Sequence, residues 1–198
     1  MSKTKLFKAA TDWDLNTLKQ LLDGDSSLIN ARDAKGRTAF HLCCGKSLQT
    51  AKKSVAESIK TMEELVKRGL DINVIHEIPD DSEIFPATPL WYAVARGSNI
   101  ALARALLQRG ADPNHCLFAA IWANHLKMTA MLLDAGANTE EGFAGETPII
   151  YAARLGRVKI LKALLAAGAN RQFRDSKGKT ALDYAKKKKL SSSVLNLL

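Results

Sequence analysis

Cysteines, aromatic residues and long apolar runs are all scarce in this 198-residue chain, and each scarcity excludes a class of protein. The three cysteines, Cys43, Cys44 and Cys116, are an odd number, which indicates free thiols in a reducing, intracellular compartment. No apolar run approaches the ~20 residues of a membrane span. The stretch MSKTKLFKAATDWD lacks the apolar segment of a secretory signal. We therefore expect a cytoplasmic protein without a membrane segment.

Motifs that carry catalysis are missing as well. The chain has no glycine-rich phosphate loop, no G-x-S-x-G nucleophile elbow and no C-x-x-C pair. His115, Cys116 and His125 stand close together in the sequence, but the two histidines fall at opposite ends of a predicted helix, and a zinc site needs three or four converging ligands. The sequence therefore predicts a protein that is not an enzyme, with no catalytic residue, no cofactor and no metal.

Several phrases of the sequence occur more than once. TPLWYAVARG at 88–97 returns as TPIIYAARLG at 147–156, and L-L-x-x-G-A phrases close segments at 106–111, 132–137 and 164–169. Thr before Pro predicts a helix N-cap with Pro at the first helical position, and the glycines suit a left-handed C-cap. One such helix pair cannot bury its apolar face alone, so the pairs must stack on one another.

These phrases resemble the ankyrin repeat, T-P-L-H-x-A-A followed by L-L-x-x-G-A-D, of about 33 residues. The resemblance covers nearly the whole chain. It implies an all-α solenoid of about six stacked helix–turn–helix repeats, terminal caps included, with β-hairpin or loop fingers. In a single domain over 1–198, we place an N-terminal cap at 1–32, repeats at 33–75, 76–114, 115–141 and 142–174, and a C-terminal cap at 175–198.

Three places depart from this pattern. The finger expected between Asn114 and His115 is absent, and the preceding loop at 74–87 is about seven residues too long. About ten further residues are inserted near 47–56, where apolar residues at spacings of three and four, from Leu48 to Val66, predict an extended second helix. These departures are either neutral insertions or the means by which one long finger beside a missing finger shapes a binding surface.

The resemblance also implies where a partner binds, because similar proteins use their fingers and the residues before the helix–helix turn. Trp122 is expected to be an apolar anchor flanked by Arg96 and Arg154, which would orient carboxylates; the alternative is that Trp122 folds over the repeat junction. Phe143 is either a second anchor or a turn residue that packs on the next finger. The full set of expected contact residues is Arg96, Trp122, Phe143, Arg154, Leu155, Glu77, Asp80, Asp81 and Phe85.

Positive charge is concentrated at one end of the chain. Residues 150–198 hold 12 Lys and Arg against 2 Asp and Glu, whereas the first 149 residues hold 17 against 18. Such polarity suits an anionic partner, so binding of nucleic acid or another anionic surface through this quarter is the alternative function. It ranks below protein binding because only Tyr151, Phe173 and Tyr184 are interleaved with the charge, and both tyrosines hold inward repeat positions. We predict a monomer that binds another protein.

Overall fold

A computed structural model describes residues 2–51, 53–79 and 84–198 of the chain. The contacts divide the chain into two compact units, Met1–Asp112 and Pro113–Leu198, each with its own buried core. The division falls two residues before the repeat boundary predicted at 114/115. The single domain and its repeat boundaries otherwise remain predictions.

The first unit consists of paired helices and one hairpin. Helix α1 packs on α3, α3 packs on α5, and the second helices of each pair, α2, α4 and α6, pack in a row of their own. The elements are α1 (Ser2–Thr11), α2 (Leu15–Gly24), a 3₁₀ turn (Ser26–Asn30), α3 (Ala39–Gly45), α4 (Val55–Lys67), β1 (His76–Pro79), β2 (Ile84–Ala87), α5 (Pro89–Tyr92), a π turn (Ala93–Gly97) and α6 (Ile100–Leu107).

The second unit repeats the same arrangement without a strand pair among its described residues. Inner helices α7, α9 and α11 pack in one row, and the outer helices α8 and α10 pack in another. The elements are α7 (Leu117–Trp122), α8 (Leu126–Asp134), α9 (Pro148–Leu155), α10 (Val158–Ala166), α11 (Ala181–Lys187) and α12 (Ser192–Leu195).

A Thr N-cap precedes the inner helices α3, α5, α9 and α11. The Thr88 hydroxyl oxygen accepts a hydrogen bond from the backbone N–H of Trp91 (3.2 Å), and Pro89 follows at the first helical position. At α11 the Thr180 backbone N–H donates to the Asp183 carboxylate (2.9 Å), which completes a capping box. These bonds satisfy N–H groups that a helix leaves unpaired.

The turn from inner to outer helix has the same backbone conformation in five of the six pairs. It places one residue in the left-handed region, with φ between 45° and 69°, and the next helix begins two or three residues later. Because most residues avoid this region, the repeated geometry is a constraint of the fold rather than a preference of the sequence. The left-handed residues are Trp13, Ser98, Asn124, Gly156 and Lys189.

One inner helix carries an additional residue. From Thr88 to the left-handed Ser98 is one residue more than from Thr147 to Gly156, and the chain absorbs it as the π turn Ala93–Gly97. A single inserted residue inside a helix commonly forms such a turn, often at functional sites. Arg96 lies in this turn.

The second helix of the 33–75 repeat is shorter than the sequence predicted. The prediction that it extends from near Leu48 is wrong, because α4 begins at Val55. Ser54 ends the preceding loop by donating its backbone N–H to the Glu57 carboxylate (2.7 Å) in a capping box. The Lys53 ammonium group also donates to the Trp13 carbonyl oxygen (3.1 Å) and holds the inserted loop against the α1–α2 turn.

The fingers show both of the predicted length anomalies. The long finger is an antiparallel hairpin in which His76 pairs with Ala87 and Pro79 with Ile84. At the missing finger a turn leads directly into α7. In this turn His115 has a φ of 62°, and Cys116 is the N-cap of α7.

Candidate partner-binding surface

Trp122 is the most exposed large apolar side chain among the described residues. It ends α7 with 66% of its surface exposed, although Trp is usually mostly buried. Phe118 stands one helical turn earlier on the same face, because residues four apart in a helix align. The Arg157 guanidinium donates to the Trp122 carbonyl oxygen (3.2 Å) and fixes the backbone at this end of the helix.

Three half-buried rings continue the surface from Trp122. The Phe118 ring centroid lies 5.2 Å from that of Tyr151 and 5.9 Å from that of Phe143, and both pairs are tilted or edge-on. Such geometry stabilises aromatic pairs beyond their burial. Burial raises the pKa of the Tyr151 phenol. We name Phe118, Trp122, Phe143 and Tyr151 the aromatic patch.

A tight turn holds Phe143 in place. The backbone N–H groups of Phe143 and Glu146 each donate to the other's carbonyl oxygen at 3.0 Å. The two residues between them, Ala144 and Gly145, have φ values of 51° and 75°. Positive φ at both central positions is the signature of a type I′ turn, the turn that matches the twist of a hairpin. Phe143 is thus a half-buried turn residue whose ring packs on Phe118 and forms part of the aromatic patch.

Arg154 has an intramolecular partner in this unit. Its Nη2 donates to Glu146 Oε2 (2.9 Å), its Nε lies 2.9 Å from Oε1, and its guanidinium carbon lies 5.0 Å from the Tyr151 ring centroid. A bidentate Arg–carboxylate pair is geometrically specific. The sequence predicted that Arg154 would bind a carboxylate of the partner. In the structure it binds the carboxylate of Glu146 instead. Leu155, beside it, is half-buried.

The remaining predicted contact residues lie in the first unit. Arg96 and Glu77 are exposed, on the π turn and on β1 respectively. Phe85 is only 8% exposed and packs on Trp91 with ring centroids 5.2 Å apart. Phe85 is therefore a packing residue of the hairpin, not an exposed contact. Asp80 and Asp81 lie outside the described residues.

Sequence reasoning missed two members of the patch. Phe118 could have been found, because it stands four residues before Trp122 and helical spacing puts both on one face. Tyr151 was placed inward, yet its ring is only half-buried and lies beneath Arg154. Glu146 gave no signal, because its role depends on a turn geometry that a sequence does not display.

The thiols and imidazoles of the chain hold structural positions. Cys43, Cys44 and Cys116 are free and buried, and burial raises the pKa of the Cys44 thiol well above its usual range. His125 Nδ1 accepts the Met128 backbone N–H (3.3 Å) as the N-cap of α8. In the described ranges no three His, Cys, Asp or Glu side chains group as metal ligands, and no helix is long and apolar enough to cross a membrane.

Comparison with known proteins agrees with this architecture. The family description "Ankyrin repeats (3 copies)" matches residues 117–198 and "Ankyrin repeat" matches 87–117, so the two together span more than half of the chain. The human "Ankyrin repeat and SOCS box protein 11" is 30% identical over 122 residues, which are 58% of this chain and 38% of that protein. The chain thus spans less than two fifths of that relative.

Two solved structures are similar over almost the whole chain. An ankyrin repeat domain from Acinetobacter baumannii has a TM-score of 0.75 at 27% identity and covers 97% of this chain and 94% of its own. A structure of a predatory endopeptidase from Bdellovibrio bacteriovorus in complex with an immunity protein matches with a TM-score of 0.69 at 23% identity, over 97% and 96% of the two chains. At that identity the second shows the fold alone. With helix pairs, capped inner helices and glycine-ended outer helices in the same order, the chain belongs to the ankyrin-repeat family.

Proposed function

We propose that this chain acts by binding another protein, without catalysis, and that the aromatic patch of the second unit contacts the partner. Ankyrin repeats are protein–protein interaction modules. The observation that carries the proposal is the 66% exposure of Trp122 on a helix whose end is fixed by Arg157. Trp is one of the residue types enriched among the side chains that carry most of the binding energy of protein interfaces.

The patch suits recognition for two further reasons. The rings of Phe118, Phe143 and Tyr151 are held by one another and by the type I′ turn, so these three side chains lose little freedom on binding. Arg154 is already paired with Glu146, so its guanidinium offers a neutralised flat face beside Tyr151 rather than a free charge. We therefore infer that the patch receives an apolar or aromatic side chain of the partner, with polar contacts at its edge.

The partner is to be found by replacing Trp122 with a photo-crosslinking phenylalanine analogue in living source cells. The crosslinked protein is identified by mass spectrometry and purified, and its affinity is measured by calorimetry against wild type, Trp122→Ala and Leu126→Ala. Leu126, which begins the outer helix α8 and is 36% exposed, supplies the matched apolar control. Loss of a true anchor costs about 2 kcal/mol, or about thirtyfold in Kd.

The results separate the candidate functions. A thirtyfold loss with Trp122→Ala, unchanged melting temperature and normal binding by Leu126→Ala support the proposal. Equal affinities for all three proteins contradict it. If only nucleic acid crosslinks, and binding falls steeply with salt as released counterions predict, the basic last quarter becomes the functional surface.

The biological role is read from the complex itself. A one-to-one complex that blocks the partner's activity identifies an inhibitor, and simultaneous binding of two proteins identifies an adaptor. A partner found only in another organism identifies an effector. Cytoplasmic residence, predicted from the free cysteines, is tested by fractionating the same cells.

A further inference from the structure

Both sequence insertions of the first unit line a single cleft. Ser47 and Thr50 belong to the loop inserted before α4, and His76 and Ile78 belong to the first strand of the long hairpin. The cleft between them has a volume of about 500 Å³, within the range of ligand-binding clefts. Segments far apart in the sequence, neither required by the repeat, thus form its walls.

The extra residue of the π turn brings a third feature to the same place. Arg96 and Gly45 both line the cleft, and a Cβ built on Gly45 would lie 3.8 Å from the Cβ of Arg96. A Cβ on Gly97 would lie 2.5 Å from the Cys44 carbonyl oxygen, so the π turn lies closer to α3 than a residue with a Cβ would allow without a shift. The backbone of Arg96 is therefore placed beside α3 by two glycines, and its exposed side chain lines the cleft.

The charged residues described in the lining of the cleft are all cations. Its lining includes Lys35, Arg37, Lys46 and Arg96 and no described Asp or Glu. Arg37 is paired with Asp33, at 2.7 Å between Nη2 and Oδ2. In the described part of the chain no carboxylate forms an ion pair with the other three. Like charges that converge on a cleft focus a positive potential there and attract an anion.

The rings at the floor of the cleft cannot stack on a nucleobase, because they are buried against one another. His41, His76 and Tyr92 contact one another with centroids 5.3 to 5.9 Å apart, and each is at most 7% exposed. The Tyr92 hydroxyl also bonds to His76 Nδ1 at 2.9 Å. Base recognition needs an open ring face on which to stack, and these rings offer none. Ile78, half-buried, is the apolar wall beside the cations.

We propose that the cleft binds an acidic segment of the partner protein, with carboxylates at Lys46 and Arg96 and an adjoining apolar side chain against Ile78. Arg96 suits this role because a guanidinium donates two parallel hydrogen bonds to one carboxylate, and Lys46 supplies a second charge from the preceding repeat. The proposal deepens the proposed function, since it rests on the ligand being a protein and names its chemistry. It concerns residues of the first unit alone.

A designed peptide tests the cleft without the partner. Acetyl-Glu-Glu-Leu-Glu-Glu-amide is titrated into the full chain labelled with nitrogen-15, and its Gln-for-Glu counterpart and inorganic phosphate are titrated in parallel. The readouts are the backbone amides of Gly45 and Lys46 and the Nε–Hε signal of Arg96. We expect the Glu peptide to shift all three signals, and the Gln peptide and phosphate to leave them unchanged at equal concentration.

Charge-matched variants separate the cleft from the general basicity of the chain. Lys46→Gln/Arg96→Gln removes two charges from the cleft, whereas Lys60→Gln/Arg104→Gln removes two exposed charges from the outer helices α4 and α6. The first variant should weaken the peptide about fivefold or more, and the second should change its affinity less than about twofold. Melting curves establish that both variants fold.

Three outcomes overturn the proposal: shifts confined to residues 186–189, equal weakening by both variants, or equal shifts with phosphate and peptide, which would identify a phosphate ligand instead. The proposed function is judged separately, by the Trp122→Ala measurement on the identified partner. If the partner loses affinity for Trp122→Ala but binds Lys46→Gln/Arg96→Gln as tightly as wild type, the cleft proposal is contradicted and the proposed function stands. If the Glu peptide binds in the cleft but the partner binds Trp122→Ala as tightly as wild type, the cleft proposal stands and the aromatic patch is contradicted.

Discussion

The two units treat their aromatic residues in opposite ways. In the first, His41, His76 and Tyr92 are buried against one another under a cleft lined by cations. In the second, Trp122 stands 66% exposed, and its neighbouring rings are only partly covered. The first unit contains both insertions and the π turn, whereas in the second unit α9 and α11 have the same spacing of nine residues from the Thr N-cap to the left-handed turn residue. In this chain, the unit that contains the insertions and the π turn has a cleft lined by cations, whereas the other unit exposes an apolar ring.

Among the substitutions that test this contrast, we expect Gly97→Ala to change stability most. A Cβ there would meet the Cys44 carbonyl oxygen at 2.5 Å, and α3 would have to move to accept it. Gly97→Ala should lower the free energy of unfolding of the first unit by about 3 kcal/mol, measured by denaturant titration. Gly142→Ala in the second unit is the control, because its Cβ would meet nothing closer than 3.5 Å. Similar losses in both variants would show that the π turn is not tightly packed.

Acid should weaken the first unit through His41. Burial is the main cause that lowers the pKa of His41 to about 4, from 6.5 in an unfolded chain. In the folded chain the neutral ring receives the Thr38 N–H on Nδ1 (3.1 Å), with its Nε2 3.0 Å from the Val74 carbonyl oxygen. Because the folded pKa is depressed, the stabilisation is complete above about pH 6.5 and is lost as the pH falls towards 4; about 2 kcal/mol is gone by about pH 5.

The His41 effect is measured as a difference between proteins. Denaturant titrations of wild type and His41→Gln from about pH 7 to pH 5 should converge as the pH falls, because only wild type loses the imidazole contribution. Helix α9 of the second unit has Ile150 at the corresponding position, three residues after its Thr. Hydrogen exchange should therefore accelerate around α3 and not around α9. Parallel pH curves for the two proteins would remove His41 from the explanation.

The smallest effect that we expect is a gain of stability in the second unit, at the turn that holds Phe143. Ala144 has a φ of 51° at the first central position of a type I′ turn, a position that favours Asn. Ala144→Asn should raise the free energy of unfolding by about 0.5 kcal/mol, because Asn tolerates the left-handed region better than Ala. A thermal melt measures the gain, with Ala144→Val as the opposite control. A lower melting temperature for the Asn variant would mean that the turn adopts another geometry in solution.

The repeated sequence motifs predicted the helices well and the irregular segments poorly. Thr88 with Pro89, and Thr147 with Pro148, marked helix starts because capping is a local interaction written in adjacent residues. The extended helix before α4 was wrong, since the capping box of Ser54 and Glu57 outweighed an apolar spacing that continues upstream. The π turn was invisible because a single extra residue changes no local propensity.

The candidate surfaces divide in the same way. Trp122 could be selected because its position before a repeat turn is fixed by the fold, and its exposure agrees with that position. The pairing of Arg154 with Glu146 depends on a turn eight residues earlier, and the burial of Phe85 depends on Trp91. Such contacts follow from the path of the fingers, where neither spacing nor composition constrains the side chains.

The π turn has a consequence for the engineering of repeat proteins. An extra residue in a helix would rotate every later side chain by about 100° around the axis. Here Ser98 still takes the left-handed turn, and Asn99 still caps α6 through the Leu102 N–H (3.0 Å), so the rotation ends within one turn. Libraries that vary only residue identity at fixed positions never sample this geometry. A one-residue insertion at this point of the inner helix would open it to selection while the stacking of the helices is kept.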